Sequence, residues 1–420
     1  MLAYWTKRTL VLPPIILGTA VPWRPFNDML TLYKTAQLTF SQILPLFQSP
    51  TKNLTHELSG SNIKSIFVPW SLLVNLNDLK PYIRIITESE FEKLYRVDRY
   101  SLGSLLSLTG KFTLNFVQDV TRHDYFIHSS PIDINHPKYI YTKNRFDRAI
   151  HIHDEDISTS PSLLIFGSLF SSSRLYIEAE KDEEMFRRIK KSFVIQNPYL
   201  EYIANLITEK LGGIGHYIGI HVRIGEGNFA LRSQKTLNTI IYNVTAALSN
   251  INNSYDHHKD IDDHDEQIPE KGESLSSFKM RKCFHSQSVL DLKHKRNSNR
   301  ASSRSKYPII FMATDIRNPN ESSLLEPLYS LFPCIFTLND FKKEISLAFE
   351  KPHLNDQDTH SLDEKKDESL LYDIFNPVSG RFMIPFIDLL VASRGNLFFG
   401  SPASTFSTFG AYLHKIRYGD

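Results

Sequence analysis

Between Tyr217 and Leu413 the chain alternates short apolar runs with stretches of helical period, and this alternation limits the possible folds more than any other feature. Tyr217–Val222 reads as a strand, Ser233–Ser249 as a helix, and Tyr307–Ala313 and Cys334–Leu338 as strands. Ile384–Ser393 reads as a helix, Asn396–Gly400 as a strand, and a last helix begins at Ser404. Strands separated by helical lengths pair in parallel, because a crossover returns the chain to the same end of the sheet. The expectation is an α/β fold with a largely parallel sheet.

Upstream, Asn197 and Pro198 punctuate a helix start. Leu200, Ile203, Ile207 and Leu211 share one face, and Gly212 and Gly213 mark the stop. Before it, Arg8–Pro14, Ser65–Trp70 and Ser162–Phe170 read as strands, and Asn27–Leu38 and Glu180–Phe193 as helices. Two α/β domains follow, 1–196 and 197–420. Two stretches, 252–306, rich in Asp, His, Lys and Ser, and 351–369, rich in Asp, Glu and Lys, break the second pattern and read as solvated, disordered insertions. The tract HHKDIDDHDE lies in the first, without the regular spacing of metal ligands.

Composition fits this division. At 41% hydrophobic over 420 residues, the chain can bury two domain cores. A formal net charge of +2 gives no chain-wide field toward nucleic acid. No apolar run approaches the ~20 residues that span a bilayer. Two cysteines, Cys283 and Cys334, exclude a four-cysteine zinc site and leave either one disulfide or two buried thiols. Sequons at Asn53, Asn243, Asn252 and Asn320 suit a lumenal protein. No signal or anchor is recognisable, and Met1 reads as beginning inside a domain.

Chemistry concentrates at strand ends. In IGIHVRIGEGNF, His221 and Arg223 flank Val222 at the end of an apolar strand, where a forked guanidinium suits a pyrophosphate. The same residues also fit a satisfied core His and a surface Arg. In NLFFGSPASTFSTFG a strand runs into a small-residue loop and a helix capped by Ser404, so free N–H groups and the Thr405 hydroxyl are available to phosphate, or simply to an ordinary cap. Asp388, among apolar neighbours in IPFIDLLVAS, needs a partner. Adjacent N–H donors of a guanine would serve, as would an Arg. Asp315 closes the strand YPIIFMATD, placed either to meet a ribose or to form a turn.

In this order the segments resemble the protein O-fucosyltransferase superfamily of GT-B enzymes. HVRIGEG is similar to the family's His-x-Arg motif, FMATD to its middle strand, and FIDLLVASRGNLFFGSPASTFS to its closing motif. The resemblance is best from Tyr217 to Leu413, with RTLVLPP as an outlying match. It implies two Rossmann-like domains facing a cleft and inverting transfer of fucose from GDP-fucose to a Ser or Thr hydroxyl of a protein acceptor. Neither a metal nor another cofactor is implied, and the compartment would be the lumen of the endoplasmic reticulum or Golgi. His221 and Arg223, with Val222 between them, would hold the donor phosphates, and Arg223 would also stabilise leaving GDP. Asp388 would bind guanine; Ser404, Thr405 and Phe406 would line the phosphate and base pocket. Glu226 stands where the family commonly has Asp, and the family's first strand and Gly-rich, Asn-containing loop have no counterpart before Arg8. The chain is therefore expected to be shortened at its N-terminus, with no residue assigned as base. A catalytically inactive nucleotide-sugar-binding or protein-interaction module is the alternative.

Overall fold

A computed structural model describes residues 1–18, 65–95, 114–117, 119–153, 163–166, 174–225, 227–253, 279–280, 282–284, 308–350 and 377–419, with Pro25, Asp28, Met29 and Thr31. The expected helix Asn27–Leu38, the tract HHKDIDDHDE, the insertion 351–369, Asn53 and Glu226 lie wholly or mainly outside the described residues. The fold is α/β. The chain divides into two compact units, Met1–Asn197 with Glu364–Phe382, and Pro198–Asp363 with Met383–Asp420.

In the first unit, strands β1 (Leu10–Leu12) and β4 (Ile85–Thr87) pair in parallel, and β2 (Ile15–Leu17) pairs with β3 (Ile66–Val68) antiparallel. The stretch read as a strand from Arg8 to Pro14 holds only β1, which stops before Pro13 and Pro14 because they lack the N–H groups a ladder needs, and β2 begins beyond it. β5 (Leu114–Val117) pairs in parallel with β8 (Leu163–Phe166). β6 (Tyr125–His128) lies between β7 (Arg148–His151) and β9 (Leu175–Tyr176), all parallel. Helix α1 (Glu180–Ser192) carries three acids in its first turn and two lysines in its last, as the helix dipole favours. Arg174, 1% exposed, pairs with buried Asp119 at 3.3 Å and donates to the carbonyls of Thr121 and Arg122.

The second unit is built on one parallel sheet, strand order β12 (Ile335–Phe336), β11 (Ile310–Thr314), β10 (Ile218–Val222), β13 (Leu397–Gly400). Helix α2 (Pro198–Lys210) leads into it. Leu200, Ile203, Ile207 and Leu211 are all fully buried, the face their spacing predicts, each contributing ~2 kcal/mol by burial. Helix α3 (Ser233–Asn253) covers one face of the sheet through Leu237, Ile240 and Val244, packed in one core with Ile218, Ile220 and Val222. The other face of β10 carries Gly219 and His221, the alternate residues. Helix α4 (Pro377–Ser393) approaches there, and a Cβ on Gly219 would lie 1.8 Å from the carbonyl oxygen of Ala392. Helix α5 (Thr405–Tyr418) follows β13 and packs against it.

The segment 252–306, read as a solvated insertion, is not solvated throughout. Cys283 is buried and bonded to Cys334, at the mouth of edge strand β12, and Phe284 lies near Phe336. The expected pair of alternatives is thereby resolved as a disulfide, which fastens this piece against an otherwise open sheet edge. No described helix is long and apolar enough to cross a membrane.

Candidate functional site at the carboxyl end of the second sheet

The parallel ladder of β10 ends at Val222, paired with Thr314, and the next three residues form a turn over the sheet edge. The backbone N–H groups of Arg223, Ile224 and Gly225 there have no strand to bond. Side chains take all three. Ser401, 2% exposed, accepts from Arg223 N–H at 2.8 Å and donates to the carbonyl of His221 at 3.0 Å. Asp315 accepts from Ile224 and Gly225, each at 3.0 Å. The Ile224 side chain meanwhile plugs into the core.

His221 is buried on the face opposite the α3 core. Its Nδ1 is 2.6 Å from Ser407 Oγ, and its ring lies 4.4 Å from that of Phe406. Burial, reinforced by the Arg223 charge, lowers its pKa from 6.5 to about 3, so the imidazole is neutral at physiological pH. The Arg223 guanidinium sits 4.8 Å from the ring of Phe229, and its Nε is buried with no hydrogen-bond partner among the described residues. A guanidinium N–H shut away from water and unpaired costs free energy, and an anion supplied from outside would remove that cost.

Facing this turn, α5 begins as its sequence predicts. Ser404 is the N-cap, with extended backbone and a side chain accepting the Ser407 N–H at 3.3 Å. Ala403, just before it, has φ of +60°, an uncommon conformation for a residue with a Cβ, and compresses the passage from β13 into α5. Thr405 is exposed and Phe406 half-buried. Gly400 is required by close approach, since a Cβ there would meet Ser407 Cβ at 2.5 Å.

Of the residues singled out from sequence, His221, Ser404 and Phe406 are joined by these contacts, with Thr405 exposed next to them, while Arg223 meets the same loop through its backbone N–H on Ser401 and turns its guanidinium to Phe229. Val222 is fully buried in the α3 core, so its side chain is directed away from them. Asp315 joins through the turn backbone. Asp388 stands apart, since no described hydrogen bond or ion pair ties it to Arg223, His221 or α5. Its Oδ1 is buried without a partner among the described residues, and burial raises its pKa well above the usual carboxylate range. Ser401 and Ser407 carried no assignment from sequence. Their signal was that small hydroxyl residues stand at the start of the β13–α5 loop and in the first turn of α5.

Other chemistry lies elsewhere. A cavity of about 560 Å³ opens beside the disulfide, lined by Lys279, Tyr329 and Asp340 at the β12 edge, two strands from Arg223. No group of three or more His, Cys, Asp or Glu among the described residues is placed to hold a metal ion.

No family model and no curated protein matches the chain. Among solved structures, a crystal structure of POFUT1 in complex with GDP-fucose is similar over 99% of this chain and 88% of that one, at 13% identity and a TM-score of 0.34. A likeness that slight carries no argument about function, which is therefore drawn from the residues themselves.

Proposed function

We propose that the second unit binds the diphosphate of a GDP-sugar and that the protein is an inverting glycosyltransferase, moving fucose from GDP-fucose to a Ser or Thr hydroxyl of a protein acceptor. One observation carries the diphosphate reading: the Nε of Arg223 has no partner among the described residues, and its backbone N–H is held by Ser401, three residues before the N-cap of a fourteen-residue helix. The Nε and the helix N-terminus both favour an anion, the first by hydrogen bonding and the second through the dipole and the free N–H groups of its first turn. The motif order of the sequence extends this reading to a GT-B arrangement and to fucose.

In this reading the acceptor hydroxyl attacks the sugar's C1 from the side opposite GDP, its proton passes to solvent since no residue of this chain is assigned as base, and the bond from C1 to the β-phosphate oxygen breaks. Negative charge grows on that phosphate, and Arg223 with the α5 N-terminus offsets it. Neutral His221 holds α5 against β10 through Ser407 and Phe406 without adding a second charge. Burial of Asp388 disfavours its ionised form. A guanine edge offering two N–H donors would stabilise its ionised form and distinguish guanine from adenine or uracil. The Cys283–Cys334 bond supports a lumenal, oxidising compartment.

Calorimetric titration with GDP, UDP and ADP tests the site without an acceptor. Saturable binding of GDP, weakened at least about tenfold in Arg223→Ala, is the expected outcome. Equal affinity for all three nucleotides would remove the role given to Asp388, and no binding to any would remove the donor-site reading.

A further inference from the structure

We infer that Asp315 is a positioning residue for Arg223 and does not touch the donor. This rests on the diphosphate reading above and adds the part that holds the arginine in place. The carboxylate sits one residue beyond β11, at the level where β10 has just ended. Its Oδ1 accepts the N–H groups of Ile224 and Gly225 at 3.0 Å each, and its Oδ2 accepts the Gly225 N–H again at 3.0 Å. Gly225 lets the carboxylate come this close, because a Cβ there would already lie 3.2 Å from Asp315 Cγ.

With Ser401 on the other side, three successive amides are each fixed by a side chain delivered from a flanking strand end. The backbone on both sides of Arg223 is therefore held, and only its side-chain torsions remain free. A carboxylate turned instead toward a diphosphate would repel it, whereas one occupied by backbone N–H groups has its charge spread into the turn. A ribose contact predicts a different dependence on the ligand. Losing it weakens only ligands that carry a ribose, while loosening Arg223 weakens every diphosphate alike.

The test measures the affinity of GDP and of inorganic pyrophosphate for the wild-type chain, Asp315→Ala, Asp315→Asn, Arg223→Ala and the Asp315→Ala/Arg223→Ala pair. Hydrogen exchange at the Ile224 and Gly225 amides is followed without ligand. The expected result is a loss of about tenfold for both ligands in Asp315→Ala, partly restored in Asp315→Asn, which keeps an acceptor oxygen. The double variant should bind no more weakly than Arg223→Ala alone, since both act through one guanidinium. Both amides should exchange faster in Asp315→Ala. Loss of GDP affinity with pyrophosphate unchanged, additive effects in the pair, or unaltered exchange would each overturn the assignment. If Asp315→Ala does not fold, Asp315→Asn with a wild-type melting profile carries the same comparison. If the wild-type chain binds neither ligand, the donor-site reading falls, while exchange at the two amides still upholds or refutes the clamp.

Discussion

His221 Nδ1 and Ser407 Oγ lie 2.6 Å apart, joining the middle strand of the second sheet to the first turn of α5. Because burial and the Arg223 charge hold the folded imidazole near pKa 3 against 6.5 for the free group, an unfolded chain takes up a proton that the folded one refuses. Stability from this residue is therefore complete above pH 6.5 and falls as pH drops toward 3, at up to about 1.4 kcal/mol per pH unit. Urea unfolding of wild type and His221→Gln at pH 7 and pH 5 should show a shallower acid loss in the variant. Parallel losses would remove His221 as the source.

Gly219→Ala should not be tolerated. The added methyl would meet the Ala392 carbonyl at 1.8 Å, and neither backbone can yield without separating α4 from the sheet. We expect a loss of at least about 3 kcal/mol, read as a failure to express or a collapsed melting transition. A variant melting within a few degrees of wild type would show that this approach is looser than described.

Arg394 is buried at the junction of α4 and β13 and pairs with Glu201 of α2. Removing only the acid strands a buried guanidinium, so Glu201→Ala should cost on the order of 3 kcal/mol. Replacing both, as Glu201→Met/Arg394→Met, should cost less than the single change, because no charge is left behind. Chemical denaturation of the three proteins decides it, and a double variant worse than the single would refute the argument.

The Cys283–Cys334 bond closes 51 residues of chain. In the chain-entropy model its loss lowers stability by about 4 kcal/mol. Guanidinium unfolding with and without reductant should show that difference, and Cys283→Ser/Cys334→Ser should match the reduced protein. Reduction without effect would mean that the unfolded chain is not restrained by the bond.

Much of the second sheet was legible because its inner strands are buried on both faces and read as largely apolar runs, as in IGIHV and IFMAT. Its helices were legible for their caps and periods, α5 from Ser404 and α2 from Pro198. The first unit was less so. Strands Ile85–Thr87, Tyr125–His128 and Arg148–His151 were not read from sequence, being only three or four residues long, and were set by pairing with distant neighbours. α4 also begins seven residues earlier than its pattern suggested and keeps Pro385 within it.

By itself the sequence determined the α/β class, the parallel sheet of the second unit and the placing of His221 and Arg223 at a strand end, because periodicity and punctuation are local properties. Only the tertiary structure decided that Ser401 and Asp315 fix the amides around Arg223, that Ser407 meets His221, that Glu201 answers Arg394 and that Cys283 joins Cys334. Each of these joins residues far apart in the chain. Which polar group satisfies which is settled by where packed strands and helices bring them, and residue spacing holds no record of that.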